Sequence, residues 1–149
     1  MSDTAVAEQA LDSKRNIALR LTVLARLMRN SFDRQVASLN VTRSQWSMIV
    51  VVARNPGATQ RTIAEALEMS EASAGRLIDR LCAEGLLQRQ ERYDDRRARA
   101  VYLTPAAEPL LAKLYEIGRK GEKAIFSGFS DAELETLEGY LERVYRNLT

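Results

Sequence analysis

The feature that most constrains the fold is a short stretch with two apolar runs around a charged turn. It extends from Gly85 to Thr104 and reads GLLQRQERYDDRRARAVYLT. Leu86-Leu87 and Val101–Leu103 are strand-like, and the turn between them carries Asp94-Asp95-Arg96-Arg97. Hairpin tips in soluble proteins usually hold small turn residues such as Gly or Asn. A tip rich in arginine needs an anionic partner, and the commonest extended anion is a nucleic acid backbone.

The segment before this hairpin is predicted to be a helix with two distinct faces, from Ser70 to Gly85. At 3.6 residues per turn, one side gathers small residues and arginines within an arc of about 100°. That side consists of Ala72, Ser73, Arg76 and Arg80, and the opposite, apolar side consists of Ala74, Leu77, Ile78 and Leu81. Such a helix can enter a DNA major groove with its N-terminal end first.

A shorter helix, about Gln60 to Leu67 and capped by Thr59, precedes this one across the turn Glu68-Met69. Two short helices with this spacing predict a helix-turn-helix. Arginines on a helix surface alone are more typical of a solvated face. A helix-turn-helix followed by a hairpin with an arginine tip indicates a winged helix.

Further helices are predicted on both sides of this central unit. Ile17, Leu21, Leu24 and Met28 recur at helical spacing, which predicts a helix from Ile17 to about Leu39. Thr42 caps the helix Arg43 to Ala53, and Asn55-Pro56-Gly57 ends it. Thr104-Pro105 opens another helix, with Pro105 at its first position, and Ser130 caps a final helix with a leucine repeat and an acidic opposite face.

The predicted fold class is mainly α with a small β-hairpin wing: a winged helix-turn-helix flanked by terminal helices. The 149 residues fit a single domain, with the winged helix at about 41–104 and the outer helices at about 15–40 and 105–149. These outer helices either form an intramolecular bundle or pair with those of a second copy. We favour the homodimer, because the central unit already has a core of its own.

Charge and composition exclude several classes of function. The net charge is +2, but residues 76–99 contain seven arginines, whereas residues 131–142 contain five acids and no base. The absence of histidine excludes His-based metal sites and triads, and we expect neither a metal nor a cofactor. The single cysteine, the lack of a secretory segment and the lack of a long apolar run favour a cytoplasmic protein without a membrane partner.

Residues from Val41 to Thr104 resemble the MarR family of bacterial transcriptional regulators. The matching elements are Thr42-x-x-Gln45-Trp46, Pro56-Gly57-x-Thr59-Gln60, Ile63-Ala64-x-x-Leu67, Arg76-Leu77-Ile78-Asp79-Arg80-Leu81, Gly85-Leu86-Leu87-x-Arg89, Asp95-Arg96-Arg97 and Val101-x-Leu103-Thr104. The tail, with Ala107-Glu108-Pro109-Leu110 and a late acidic helix rich in leucine, is similar to the SlyA-like branch.

The resemblance implies a homodimer that binds a pseudo-palindromic operator in double-stranded DNA and is expected to act as a repressor. It places Ser70, Ser73, Arg76 and Arg80 on the recognition helix and Gln60 where family members meet the DNA backbone. In the wing it places Arg97 in the minor groove, Arg96 on phosphate and Asp95 as a brace.

One recognition-helix position departs from the family pattern. Gly75 stands where family members often have threonine. Glycine inside a helix costs roughly 0.5–1 kcal/mol relative to alanine. Two explanations stay open at this point: either the backbone approaches DNA closely there, or a hydroxyl contact is absent.

The family resemblance also implies release from DNA by a small molecule. The corresponding region contains Met28, Phe32, Trp46 and Ile49, each of which taken singly is more typical of plain core. An effector bound there would be aromatic and largely apolar, for example an anionic phenolic acid or its thioester. Its charge would pair with an arginine of the first long helix, with the candidates Arg20, Arg26 and Arg29.

Three alternatives compete with this interpretation. A redox-sensing regulator would act through Cys82, although that residue is more typical of a small buried hydrophobe. An enzyme is not expected, since the sequence has no Gly-rich phosphate loop, no nucleophile elbow and no paired-carboxylate motif. A protein-binding winged helix would not need arginines on its recognition helix and wing.

Overall fold

A computed structural model describes residues 3–91 and 99–149, which contain six α-helices and a small three-stranded sheet. The helices are α1 (Asp3–Val36), α2 (Arg43–Arg54), α3 (Gln60–Ala66), α4 (Glu71–Ala83), α5 (Glu108–Ile125) and α6 (Asp131–Leu148). The strands are β1 (Ala58–Thr59), β2 (Leu87–Glu91) and β3 (Arg99–Leu103). The predicted class, mainly α with a β-hairpin wing, is confirmed.

The first helix is longer than the sequence pattern predicted. It begins at Asp3, not at Ile17, and it ends at Val36 with a 3-10 turn over Ala37–Leu39. Residues 3–16 lack the apolar stripe on which the prediction relied. They contain no glycine or proline and include three alanines, and the side chains described there are exposed, so helix propensity rather than burial extends the helix.

Hydroxyl side chains begin four of the helices, as predicted. The side chains of Thr42, Thr59, Ser70 and Ser130 each accept a hydrogen bond from the backbone N–H three residues later. Each such bond satisfies one of the N–H groups that a helix leaves unpaired in its first turn. Gly85, with φ +78°, follows the end of α4 as predicted, in a conformation that favours glycine.

The sheet has the order β1-β3-β2, and both pairings are antiparallel. In the predicted hairpin Leu87 pairs with Leu103 and Glu91 with Arg99. The sequence did not predict β1, in which Ala58 pairs with Val101, because two residues are too few to show alternation. Gly57 precedes it at φ +80°, under the Tyr102 ring.

The start of the fifth helix also differs from the prediction. Pro105 opens a 3-10 turn over Pro105–Ala107, and the α-helix begins only at Glu108. Proline at the first position is compatible with either kind of helix, because its missing N–H would be unpaired in both. The pattern therefore located the boundary correctly but not the type of the first turn.

The chain divides into two compact units, Met1–Ile117 and Gly118–Thr149. The core of the first unit is formed by side chains from α1 to α5 and the sheet. Its largest fully buried members are Val36, Met48, Ile49, Val52, Ile63, Ile78, Leu81, Val101 and Leu114. In the described part of the chain, no helix has both the length and the apolar character needed to cross a membrane.

Candidate nucleic-acid interface

Helix α4 has the two faces that the sequence predicted. Ala74, Ile78 and Leu81 are fully buried in the core. Arg76 and Arg80 are exposed on the other side, and Ser73 is half-buried at its edge. The core contacts fix the rotation of the helix about its axis, so the arginines and the small residues before them form an outward surface.

Hydroxyl groups orient Arg76 at the start of this surface. Ser70 Oγ accepts from the Ser73 N–H at 3.1 Å and donates to Ser73 Oγ at 2.9 Å. Ser73 Oγ also accepts from a terminal nitrogen of Arg76 at 3.2 Å. The Ser70 hydroxyl is therefore used in capping the helix. This bond holds the Arg76 guanidinium near the N-terminal end of α4.

One turn further along, Arg80 is more loosely held. Its Nε donates to Glu84 Oε1 at 3.4 Å, and 68% of its side chain is exposed. Pairs of this kind between exposed side chains contribute little energy. An incoming phosphate can therefore replace Glu84 as the partner of Arg80 at small cost.

Gln60, predicted at the DNA backbone, is engaged inside the protein. Its Nε2 donates to the Glu71 carbonyl at 3.0 Å, and its Oε1 accepts from Arg89 at 3.4 Å. Gly75 is buried beside it, and a Cβ on Gly75 would lie 2.7 Å from Gln60 Nε2. Gly75 thus makes room for a side chain of α3. Neither of the two explanations given for Gly75, a close approach to DNA or an absent hydroxyl contact, includes this proximity to Gln60.

The predicted wing residues Asp95, Arg96 and Arg97 lie outside the described residues. The strands that lead to them are described: β2 ends at Glu91 and β3 begins at Arg99. Leu87, at the start of β2, is buried in the core beneath α4. The hairpin therefore starts from the same packed unit that fixes the recognition helix.

Comparison with known proteins identifies the group to which this unit belongs. A model of the MarR family matches residues 39–98, from the end of the first helical segment to the wing. The crystal structure of the transcriptional regulator PA3341 is 28% identical in sequence, with a TM-score of 0.81 over 89% of this chain and 97% of that chain. The chain belongs to the MarR family.

Other relatives are consistent with this membership. A protein of Thauera aromatica, named as a transcriptional regulatory protein for the hcr operon, is 32% identical over 106 residues. That match covers 71% of this chain and spans 64% of the relative's own length. The crystal structure of the regulator SlyA is 26% identical, with a TM-score of 0.75 over 89% of this chain and 93% of that one, in agreement with the SlyA-like resemblance.

One structural relative was determined with nucleic acid. It is a MarR-family regulator from Listeria monocytogenes complexed with 26mer DNA, 21% identical, with a TM-score of 0.77 over 88% of this chain and 87% of that one. At this identity the likeness concerns the fold. All of these relatives whose names state a role are transcriptional regulators rather than enzymes, which agrees with the prediction for this MarR-family chain.

A second polar cluster joins α1 to α2 in this MarR-family protein. Asp33 accepts from Trp46 Nε1 at 2.7 Å and from Arg43 Nε at 2.6 Å, and Arg43 also donates to Asn30 Oδ1 at 2.7 Å. Burial raises the pKa of Asp33, but the hydrogen bonds from Arg43 and Trp46, with the Arg43 charge, lower it below its ordinary value of 3.8. Asp33 is thus held as a carboxylate that locks the two helices together.

The four residues predicted to line an effector site differ in accessibility. Ile49 is fully buried in the core, whereas Met28 is 42% exposed. Phe32 and Trp46 are partly buried and form an edge-to-face pair with ring centroids 4.6 Å apart. The location of Ile49 favours a packing role. Phe32 and Trp46 are the two of these four residues that are both partly accessible and in aromatic contact with each other.

Cys82 is a free thiol near the end of α4, partly buried against the core. This location fits a small apolar side chain that fills space beneath the recognition helix.

Sequence reasoning quoted Asp79 and Arg89 as family-like residues but assigned them no role. The structure pairs them across α4 and β2, with Arg89 donating to Asp79 Oδ1 at 2.6 Å. The sequence likewise indicated no role for Asp33 and Arg43. Both pairs join residues ten positions apart in different elements, a spacing that carries no helical or strand signal.

Proposed function

We propose that this MarR-family protein is a transcriptional regulator that binds double-stranded DNA through α4. The observation that carries the proposal is the outward surface of α4, where Ser73, Arg76 and Arg80 stand opposite a face anchored in the core. A B-DNA major groove is wide enough for such a helix, and arginine can bind guanine through two hydrogen bonds. The Listeria monocytogenes regulator, which has the same fold, is complexed with DNA.

The two arginines of α4 have different roles in this proposal. Arg76 is oriented by Ser73 near the helix N-terminus and is expected to read a base edge. Arg80 is farther along the helix and weakly paired with Glu84, so it is expected to bind phosphate. We assign Arg97 to the minor groove and Arg96 to phosphate, with Asp95 as their brace, because the sequence places them at the tip of the hairpin.

The protein is proposed to bind as a homodimer. Two terminal helices carry large apolar side chains that the single chain leaves exposed: on α1 Ile17, Leu24 and Leu27, and on α6 Leu141, Val144 and Leu148. Contiguous apolar faces of this kind mark association surfaces. A two-fold dimer would present two copies of α4 to a pseudo-palindromic operator, with half-sites about one helical turn apart. Binding over a promoter would make the protein a repressor.

The effector that we propose is a small aromatic compound. It would bind beside Phe32 and Trp46 and disturb the junction that Asp33 and Arg43 hold. Trp46 is the single tryptophan, so its fluorescence reports on that junction alone. Titration with phenolic acids and their thioesters should change Trp46 emission and release operator DNA over the same concentration range. A change in emission without release would contradict effector control.

The DNA-binding proposal is tested by selecting bound fragments from the source genome and measuring affinity for the selected sequence. Arg76→Ala should weaken binding and relax the preference at one position of each half-site, by about 1–3 kcal/mol. Arg80→Ala should weaken all sequences alike and lower the salt dependence. Arg146→Ala, an arginine paired with Glu142 on α6, is the matched control and should bind as wild type. Equal behaviour of all three variants would refute the assignment.

A further inference from the structure

Three residues connect the helix-turn-helix to the first strand of the hairpin. Arg89 on β2 donates from one terminal nitrogen to Asp79 Oδ1 at 2.6 Å and from the other to Gln60 Oε1 at 3.4 Å. Gln60 in turn donates to the Glu71 carbonyl at the start of α4. We call Gln60, Asp79 and Arg89 the Arg89 brace. It joins α3, α4 and β2 through side chains alone.

The burial of these groups shows that Arg89 serves the protein rather than a ligand. Its side chain is only 20% exposed, whereas that of Asp79 is 67% exposed. Both terminal nitrogens of its guanidinium are directed to partners within the chain. Gly75 belongs to the same arrangement, since a Cβ there would lie 2.7 Å from Gln60 Nε2 and would push the Gln60 amide away.

The place of β2 in the sheet explains why such a brace is needed. β2 is an edge strand, because its pairing partner in the three-stranded sheet is β3. Its burial pattern alternates, with Leu87 buried, Arg89 intermediate and Gln88, Gln90 and Glu91 exposed. After Leu87, Arg89 is therefore the residue of β2 that is directed towards the helices. A strand held at one edge and by one apolar residue can twist relative to α4.

We propose that Arg89 is a positioning residue for DNA binding, which fixes β2 against α4 so that the recognition helix and the hairpin meet one duplex in a single arrangement. This inference rests on the proposed function. Gln60 acts through Arg89, and Gly75 allows Gln60 to reach it. A bidentate arginine cannot be replaced by lysine here, because a single ammonium group lacks the forked geometry that engages two partners.

The first test compares Arg89→Met and Arg89→Lys with wild type, using the selected operator fragment and a random duplex of equal length. Both variants should lose about tenfold in operator affinity, a size usual for coupling between sites. Binding to the random duplex and the slope of log affinity against log salt should stay as in wild type. Arg146→Met, which removes a paired arginine from α6, should leave every quantity unchanged.

Each alternative has a distinct signature in these data. If Arg89 contacts phosphate directly, Arg89→Lys will bind as wild type and Arg89→Met will reduce the salt slope by about one. If Arg89 serves folding alone, both duplexes will weaken by the same factor, in proportion to the fraction unfolded. If both variants bind the operator as wild type does, the inference is refuted. A flat salt response of the wild type would instead refute the proposed function.

A second variant separates the loss of the Arg89 brace from a loss of folding. Gly75→Ala keeps Asp79 and Arg89 and displaces only the Gln60 amide, so it should weaken operator binding by a smaller factor than Arg89→Met. Combined with Arg89→Met it should add nothing further, since both changes break the same brace. Fully additive losses, measured on proteins with wild-type circular dichroism, would overturn the inference.

Discussion

Gly75→Ala is the substitution whose result the structure determines most sharply. Alanine in place of glycine inside a helix normally stabilises by about 1 kcal/mol. Here the new Cβ would lie 2.7 Å from Gln60 Nε2, closer than Cβ atoms approach other heavy atoms, and 3.1 Å from Gln60 Cδ. The end of a glutamine side chain can move, so the clash itself is relieved at small cost.

The cost arises from the hydrogen bonds that Gln60 must give up when it moves. It donates to the Glu71 carbonyl at 3.0 Å and accepts from Arg89 at 3.4 Å. Each such bond contributes about 0.5–1.5 kcal/mol. Losing both removes about 1–3 kcal/mol, by the same measure. We therefore expect Gly75→Ala to be neutral or destabilising by up to about 2 kcal/mol.

Gly139 on α6 provides the matched control, because nothing lies within 4 Å of the position where its Cβ would stand. Gly139→Ala should stabilise by about 1 kcal/mol. Urea unfolding followed by circular dichroism, at one protein concentration, measures both variants. In a Gln60→Ala background Gly75→Ala should also stabilise. An equal gain from Gly75→Ala and Gly139→Ala with Gln60 present would refute the argument.

Three further predictions concern stability. Ile78→Ala, at a fully buried position of α4, should destabilise by about 2–5 kcal/mol in urea unfolding, and a loss below 1 kcal/mol would contradict its place in the core. Thr42→Ala removes the capping box with Gln45 and should cost about 1 kcal/mol, whereas Thr42→Ser should retain most of it. In the folded protein the pKa of Asp33 lies below its ordinary value of 3.8. The Asp33 carboxylate therefore stabilises the fold at pH values above 3.8, and this stabilisation is lost as the pH falls through the lower pKa of the folded state. Asp33→Asn should therefore reduce the dependence of stability on pH in the acid range, with unfolding followed by Trp46 fluorescence. If Asp33→Asn unfolds with the same pH dependence as wild type, Asp33 does not contribute this stability.

Local signals were sufficient to predict most helix boundaries. Thr42, Thr59, Ser70 and Ser130 each mark a helix start in the structure, because a hydroxyl before an apolar periodic run caps the first turn. The two faces of α4 followed from the helical period in the same way. What these signals share is that they lie within one element.

Features that depend on other elements could not be predicted. β1 exists because Ala58 meets Val101, more than forty residues later in the chain, and two residues carry no alternation of their own. α1 extends to Asp3 because residues 3–16 have sufficient helix propensity, and no apolar stripe there indicates this extension. Gly75 was interpretable only once the structure put Gln60 beside it.

The same limit applies to the candidate site. Arg76 and Arg80 were found because they lie at helical spacing on one face. Asp79 and Arg89 were not assigned, because their contact joins α4 to β2 and neither residue type is unusual on a protein surface. The sequence showed where charge is concentrated, and the structure showed which charges are already paired within the protein.

The salt dependence of operator binding shows whether the arginines of α4 and the wing bind the DNA backbone. A recognition helix and wing that carry arginines to DNA release counterions on binding, so log affinity should fall linearly and steeply with log salt concentration. We predict a slope that corresponds to several phosphate contacts for each dimer and that decreases for Arg80→Ala but not for Arg146→Ala. A flat response of the wild-type protein, or one that Arg80→Ala leaves unchanged, would contradict the account.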